Sequence, residues 1–330
     1  MQSKTSFLKF TNFFSLAICL LMFASCGDNA DSATTETTEA KPEMQEEAKP
    51  TKPFFKLSLA QWSLHRALQA KELDNLDFPA KAKEMGFEGV EWVAHFFTDK
   101  ATDEAYLQQM KDSTDAAGVE NLLIMVDGKG DLASEDAAER DKAIETHKDW
   151  VNAAKFLGCH SIRVNLFGSK DPAKWHTAAV DGLGRLAKYG ESQGINVIVE
   201  NHGGLSSDSE KLVAVMKEIN MKNCGTLPDF GNFCVARKGG DNWKGECINE
   251  YDKYLGTKQM MPYAKAVSAK SYDFDEKGQE TKIDFAQMLN IVKGFNYDGF
   301  IGVEYEGDVL SEEEGIKATR DLLIAEAMKM

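Results

Sequence analysis

The strongest constraint on the fold is a regular alternation of apolar, strand-like runs with amphipathic stretches along residues 54–330. Short apolar runs bounded by turn residues are typical of buried parallel strands. Eight such runs occur, at 56–61, 89–93, 121–126, 161–165, 196–200, 225–227, 264–270 and 299–304. Eight parallel strands joined by helices predict a single-domain α/β fold, the (β/α)8 TIM barrel.

Helix ends support the same interpretation. Amphipathic stretches at 78–85, 103–117, 135–157 and 173–193 predict helices between the strands. The last three are followed directly by Gly118, Gly158 and Gly194. Glycine at this position closes a helix in the left-handed conformation, so each of these helices is expected to end just before the next strand begins.

The first 25 residues resemble the signal peptide of a bacterial lipoprotein. Lys4 and Lys9 precede an apolar core at 13–23, and small residues lead directly to Cys26. We expect cleavage before Cys26 and lipidation of that residue, which would anchor the protein outside the cytoplasm. An uncleaved signal anchor is the alternative. Residues 26–53 are polar and contain no aromatic residue, which predicts a disordered acidic tether to a domain at 54–330.

Charge and cysteine content limit the partners and the compartment. The formal net charge is −15, and removal of Lys4 and Lys9 would make the mature chain more acidic. This charge argues against nucleic acid as a partner and leaves the lipid anchor as the only expected membrane contact. Cys234 and Cys247 lie in one glycine-rich loop and form the plausible disulfide pair of an exported protein. That loop, at 232–254, is long enough for a lid, a binding element or a plain insertion.

Three acidic residues occur at the ends of three strand-like runs. They are Glu200 in V-E-N-H-G-G, Asp229 in L-P-D-F-G-N and Glu304 in V-E-Y-E-G. Barrel enzymes place their chemistry at the carboxyl ends of the strands, so these acids are expected to share one mouth. Such a cluster suits a divalent metal ion or an acid/base pair; an ion-paired structural network is the alternative.

Other polar residues are expected at the same mouth. Side chains two residues apart share a face of a strand, so Arg163 and Asn165 should point together, as should Glu200 and His202, Ser268 and Lys270, and Glu304 and Glu306. Two further candidates follow strand one: Trp62 could stack on a sugar, and His65 could line the mouth. Glu91 and Asp127, at the ends of strands two and three, are weaker candidates and are either substrate-contacting or solvated. His147 and His176 lie on predicted helices and are interpreted as surface groups.

The β-α alternation together with V-E-N-H-G-G, L-P-D-F-G-N and V-E-Y-E-G resembles the xylose isomerase-like TIM barrels, the sugar phosphate isomerase/epimerase superfamily. The resemblance implies a divalent metal held by Glu200, Asp229 and Glu304. The family pattern has a histidine two residues before a lysine, whereas this chain has Ser268 before Lys270. A site of carboxylates and a hydroxyl favours Mg²⁺ or Mn²⁺ over Zn²⁺, or else the metal has been lost.

The resemblance implies isomerisation or epimerisation of a small carbohydrate through an enediolate. Glu200 and Glu304 would act as the acid/base pair, and Lys270 would stabilise the developing negative charge. Arg163, Asn165, His202, Trp62 and His65 would bind the substrate. A lyase or hydratase acting on 3-keto-glycosides is the close alternative, and a non-catalytic glycan-binding lipoprotein is the second. The sequence leaves the sugar and the oligomeric state open.

Overall fold

The computed structural model describes residues 51–330. The predicted signal peptide at 1–25, the predicted lipidation site Cys26 and the predicted tether up to residue 50 lie outside the described residues. Among the described helices, none combines the length and the apolar character needed to cross a membrane.

Eight parallel strands form the barrel, in the sheet order β6-β5-β4-β3-β2-β1-β10-β9. Two isolated bridges, Thr226 with Ala264 and Asp229 with Ser268, join the segment around β6 to the segment around β9 and close the barrel. The predicted TIM barrel is therefore confirmed. The barrel strands are β1 (Lys56–Ala60), β2 (Gly89–Val93), β3 (Glu120–Val126), β4 (Ser161–Val164), β5 (Asn196–Glu200), β6 (Cys224–Leu227), β9 (Val267–Ser271) and β10 (Phe300–Tyr305).

Helices surround the strands. The glycines predicted to end three of them do so, with φ angles of 66° at Gly118, 81° at Gly158 and 77° at Gly194. Asp171 begins the helix after β4, where its side chain accepts hydrogen bonds from two backbone N–H groups. The described helices are α1 (His65–Gln69), α2 (Phe78–Glu84), α3 (Glu104–Ala117), α4 (Ala137–Leu157), α5 (Pro172–Gln193), α6 (Ser209–Ile219), α7 (Lys253–Met260), α8 (Phe285–Gly294) and α9 (Glu312–Ala327).

Apolar side chains fill two regions. The larger core lies between the strands and the helices, where Trp92, Trp150 and Trp175 are each at most 1% exposed. A smaller cluster, which includes Val93, Leu123 and Ile198, packs separately from this core. These three residues share strand faces with Glu91, Met125 and Glu200, so the smaller cluster occupies the barrel interior.

The loop at 232–254 contains an antiparallel hairpin that the sequence did not predict. Its strands are β7 (Cys234–Arg237) and β8 (Cys247–Glu250). A disulfide joins Cys234 to Cys247, which confirms the expected pair. Cys159 and Cys224 remain free and buried, and burial raises the pKa of both thiols, so they pack as apolar groups.

Candidate active site

Three carboxylates from neighbouring strand ends meet inside the barrel. Glu200 ends β5, Asp229 follows β6 by two residues, and Glu304 lies near the end of β10. One carboxylate oxygen of each residue lies within 4.8 Å of the other two. None of the three residues is more than 4% exposed. The acids that the sequence places at strand ends therefore do come together.

Asp229 is held by its own turn and by the neighbouring strand. Its Oδ1 accepts hydrogen bonds from the backbone N–H groups of Gly231 at 2.9 Å and Asn232 at 2.8 Å. Its Oδ2 accepts a hydrogen bond from the Ser268 hydroxyl at 2.6 Å. The Asn201 side chain accepts from the backbone N–H of Asp229 and donates to its carbonyl oxygen. The residues of L-P-D-F-G-N thus fix the direction of this carboxylate.

Glu200 accepts a hydrogen bond through one carboxylate oxygen and forms an ion pair through the other. Its Oε1 accepts a hydrogen bond from the Asn232 amide at 2.9 Å. Its Oε2 lies 2.9 Å from Nε of Arg163, but the pair is not aligned as a hydrogen bond. Among the described residues, Oε2 has no hydrogen-bond partner. Its charge is therefore offset by Arg163, while its capacity to accept a hydrogen bond or to ligate a cation is not used by any described residue.

Arg163 connects Glu200 to a polar network after β3 and β4. Its Nη1 donates to Oδ1 of Asp127 at 2.6 Å, and the Asn165 amide donates to the same oxygen at 2.6 Å. The carbonyl oxygen of Asn165 then faces Nδ1 of His202 at 2.8 Å. Nδ1 must therefore be the donor, which leaves Nε2 of a neutral His202 ring as an acceptor. Asp127, a weaker candidate from the sequence, is thus an integral part of the site.

Lys270 lies between two acids of the last strand. Its Nζ is 3.1 Å from Glu304 and 3.2 Å from Glu306, and the residue is 1% exposed. Ser268 precedes it by two residues on the same face of β9. The Ser268 hydroxyl gives its hydrogen to Asp229, and its oxygen lies 3.3 Å from Glu304. The hydroxyl therefore bridges two of the acids where the family pattern has a histidine.

A cavity of about 640 Å³ opens at this end of the barrel. The expected substrate-binding residues Trp62, Arg163, Asn165 and His202 line the cavity, together with Glu304. Glu200, Asp229 and Lys270 do not belong to its lining and lie beneath it, each at most 1% exposed. Lys270 consequently contacts Glu304 and Glu306 rather than the open space.

Three residues lie elsewhere than expected. His65 does not line the cavity; its ring stacks on Trp62 at 4.9 Å and its Nδ1 is 2.8 Å from the Trp62 carbonyl, so it supports that tryptophan. Glu91 is neither solvated nor at the mouth, because it is 1% exposed and bonded to Ser58 inside the barrel. His147 is buried against the Ala143 carbonyl, so the surface interpretation of this histidine was wrong. His176 does lie on the outside and pairs with Glu218.

The sequence did not point to several groups of the site. Asn201 and Asn232 orient Asp229 and Glu200, and Tyr272 lines the cavity. The sequence did contain one indication for Asn201, since this residue directly follows the candidate Glu200 in V-E-N-H-G-G. Trp243, in the loop at 232–254, also lines the cavity and packs on His202 with ring centroids 4.2 Å apart.

The environment separates the pKa values of the three acids. Burial raises the pKa of Glu304 to about 8, against the opposing charge of Lys270 and with added repulsion from Glu200. Burial likewise raises the pKa of Asp229 to about 7. Burial alone would raise the pKa of Glu200 too, but neighbouring positive charges lower it. His202 could lower the pKa of Glu200 only as a protonated ring. Burial lowers the pKa of His202 and favours the neutral ring, so we assign the lowered pKa of Glu200 chiefly to Arg163 and Lys270.

The acid cluster fits a divalent cation. Among residues 51–330, two permanent cations, Arg163 and Lys270, lie within this group of five carboxylates, which belong to Asp127, Glu200, Asp229, Glu304 and Glu306. Burial is the main cause of the raised pKa values of Asp229 and Glu304, and repulsion from Glu200 adds to it. A divalent ion among the three carboxylates would relieve the repulsion, and Oε2 of Glu200, which has no hydrogen-bond partner among the described residues, offers a ligand for it. Ser268 contributes little, because a neutral hydroxyl oxygen is a weak ligand beside carboxylates.

Comparison with known proteins agrees with this geometry. The family model for xylose isomerase-like TIM barrels matches residues 79–326. The fold and the match define the class: this chain belongs to the xylose isomerase-like TIM barrel family. No protein of curated function matched the chain by sequence.

Similar solved structures are sugar epimerases and a zinc-binding barrel. A D-psicose 3-epimerase of Clostridium cellulolyticum H10, solved with D-tagatose, is 13% identical with a TM-score of 0.62, covering 82% of this chain and 98% of its own. The 3-keto-D-glucoside 4-epimerase of E. coli is 14% identical with a TM-score of 0.62 and the same coverage. The IOLI protein with a bound zinc atom is 15% identical with a TM-score of 0.63, covering 83% and 99%. At these identities the likeness establishes the fold.

Proposed function

We propose that the protein is a carbohydrate isomerase or epimerase that moves a proton on the carbon next to a carbonyl group, through an enediolate. The observation that carries the proposal is the pair Glu200 and Glu304. Their carboxylates lie within 4.8 Å of each other beside a cavity, and the surroundings move their pKa values in opposite directions. An ionised carboxylate can remove a proton while a protonated one returns it. The sugar epimerases among the similar structures support the same class of reaction.

Each residue then has a defined task. Glu200, kept ionised, is the base, and Glu304, which faces the cavity and holds its proton near neutral pH, is the acid. Arg163 and His202 lie where they can bind substrate oxygens, and Trp62 offers a ring face to the sugar. Lys270 acts through Glu304 and Glu306, whose carboxylates it positions. When bound by Glu200, Asp229 and Glu304, Mg²⁺ or Mn²⁺ would supply further stabilisation of the enediolate oxygen. Glu304 would then be ionised at rest, because a carboxylate binds a metal ion in its ionised form, and it would carry the proton only during turnover.

The test is exchange of substrate protons with solvent. The protein is incubated in D2O with Mn²⁺ or Mg²⁺ and a panel of ketoses and 3-keto-glycosides, and deuterium incorporation is followed by NMR. Glu200→Gln and Glu304→Gln should each lower the exchange rate by about 10²–10⁴-fold, since an amide cannot carry the proton. Glu120→Gln is the matched control and should exchange normally, because Glu120 is an exposed residue at the amino-terminal start of β3, at the end of the barrel opposite the site. Exchange at the wild-type rate in either site variant would refute its role.

Two alternatives give different products in the same experiment. A lyase would use the same carboxylate pair but release the group β to the carbonyl of a 3-keto-glycoside. One of the similar structures is named as a 3-keto-D-glucoside 4-epimerase, which supports including 3-keto-glycosides among the substrates tested. Detection of an eliminated aglycone would favour the lyase. Sugar binding without any exchange would favour a non-catalytic glycan-binding protein, consistent with the serine at position 268.

We also propose that the protein is lipid-anchored outside the cytoplasm. The motif that ends at Cys26 motivates the proposal, and the disulfide between Cys234 and Cys247 supports it because disulfides persist in oxidising compartments. Cys26→Ser should release the protein from membranes or block its processing. Unchanged fractionation and unchanged electrophoretic mobility would contradict the anchor.

A further inference from the structure

A second cavity adjoins the first. It measures about 520 Å³ and lies between the loop after β4 and the β7–β8 hairpin. Asp131, Phe167 and Arg237 line both cavities, and Trp243 lines the first beside them. We propose that these four residues, the outer subsite, bind a second sugar ring. The substrate is then a glycoside of at least two rings, with the reacting ring over Glu304; this inference rests on the proposed function.

Trp243 provides the apolar face of the outer subsite. The residue is 47% exposed, yet its ring packs against two others: the edge contact to Phe167 is 5.3 Å between centroids, and the contact to His202 is 4.2 Å. These contacts fix the ring while almost half of its surface stays open. A rigid, exposed aromatic face suits the C–H face of a pyranose, because little conformational entropy is lost on stacking.

The hairpin that carries Trp243 is braced against the barrel. The disulfide between Cys234 and Cys247 ties its two strands together. Lys170, in the loop after β4, donates to the carbonyl of Gly240 at 2.6 Å. Gly203, in the loop after β5, has φ 91°, and a Cβ on it would come within 3.1 Å of the Asn242 carbonyl. The V-E-N-H-G-G turn therefore leaves room for the hairpin to approach the site.

The polar groups of the outer subsite favour a neutral sugar over a phosphate. The Arg237 guanidinium donates to the backbone carbonyls of Asn242 and Gly245 at 3.3 and 3.1 Å. Lys170 likewise donates to the carbonyl of Gly240. Two carboxylates, Asp131 and Asp241, line the same cavity and would repel a phosphate group. The Asp131 carboxylate is exposed between the two cavities and makes no hydrogen bond or ion pair with the described residues. A carboxylate of this kind can accept hydrogen bonds from two neighbouring sugar hydroxyls.

The test compares one ring with two. Solvent-deuterium exchange in D-fructose is measured against lactulose, turanose and isomaltulose, which carry a second ring on the same ketose. We expect kcat/KM for at least one disaccharide to exceed that for fructose by about tenfold, and Trp243→Ala to abolish that preference. Asp131→Asn should weaken it. Ile248→Ala is the matched control, because Ile248 is an exposed apolar residue of the same hairpin outside both cavities.

A binding measurement separates this inference from the proposed function. Lactulose, cellobiose and maltose are titrated against fructose and glucose by saturation-transfer NMR, with wild type, Trp243→Ala and Ile248→Ala. Disaccharide binding that depends on Trp243 without proton exchange would support the outer subsite and refute the proposed reaction. If protons exchange but disaccharides are not preferred over monosaccharides, the outer subsite is refuted and the proposed reaction is not. The same holds if disaccharides are preferred but Trp243→Ala does not change that preference. Monosaccharides binding as tightly as disaccharides would also overturn it.

Discussion

Glu91 gives the sharpest prediction about stability. The residue lies in β2 inside the barrel and is 1% exposed. Its Oε1 accepts a hydrogen bond from Ser58 at 2.7 Å, and its Oε2 has no partner among the described residues. Burial raises the pKa of this carboxyl from 4.5 to about 7, against the hydrogen bond from Ser58 and with added repulsion from Glu200. At pH 8 the folded protein must therefore hold an uncompensated buried charge.

The sign and size of the effect follow from linkage. Because the folded state binds this proton more tightly than the unfolded state, the favourable contribution is complete below about pH 4.5 and is lost as the pH rises to about 7. A difference of about 2.5 pKa units corresponds to about 3 kcal/mol. Glu91→Gln keeps the acceptor for Ser58 and removes the charge. The variant should be more stable than wild type by up to about 3 kcal/mol at pH 8, or about 5 °C in Tm.

Urea unfolding and thermal melts at pH 5, 6, 7 and 8 would measure this difference. Near pH 5 the two proteins should be nearly equal in free energy of unfolding, and the gap should open between pH 5 and 7. Glu88→Gln, an exposed glutamate three residues earlier, is the control and should track the wild type at every pH. A Glu91→Gln variant that is less stable than wild type at pH 8, or offset equally at all pH values, would refute the reasoning.

Two further predictions concern the metal. Affinity for Mn²⁺ should rise by more than about tenfold from pH 6 to 8.5. The reason is that Asp229 and Glu304, with pKa values of about 7 and about 8, must lose their protons on binding. Calorimetry that shows the same affinity across this pH range would refute the prediction. Ser268→His should tighten metal binding and shift the preference toward Zn²⁺, since imidazole suits that ion, and equilibrium dialysis with unchanged affinities would contradict the ligand assignment.

The barrel strands could be predicted from the sequence because buried parallel strands leave a direct trace. Each is a short apolar run between turn residues, and the predicted bounds differ from the observed ones by three residues at most, at β9. The hairpin left no such trace. Cys234–Arg237 and Cys247–Glu250 are short, partly polar and separated by a glycine-rich segment, so only the cysteine spacing indicated that the two ends meet.

The burial of His147 could have been predicted from helical spacing. His147 follows Ala143 by four residues and precedes Trp150 by three, and both of these neighbours face the core. A residue at these intervals shares their face of α4. The interpretation as a surface group considered only the polarity of the side chain. The Ala143 carbonyl satisfies the ring inside the helix, and burial lowers the pKa of His147 to about 4, which keeps the ring neutral.

The different roles of Glu91 and Glu304 show what the sequence alone does not contain. Both are acids in strands, and alternation correctly places both on the inner face of the barrel. Their depth depends on neighbouring strands. The Glu91 carboxylate fills the space beside Gly302, where a Cβ would collide with it, and Gly302 precedes Glu304 by two residues on the same face of β10. Glu91 therefore lies one layer beneath the acid cluster. Because the stagger between strands is a property of their pairing, no single strand's pattern reveals which acid reaches the mouth.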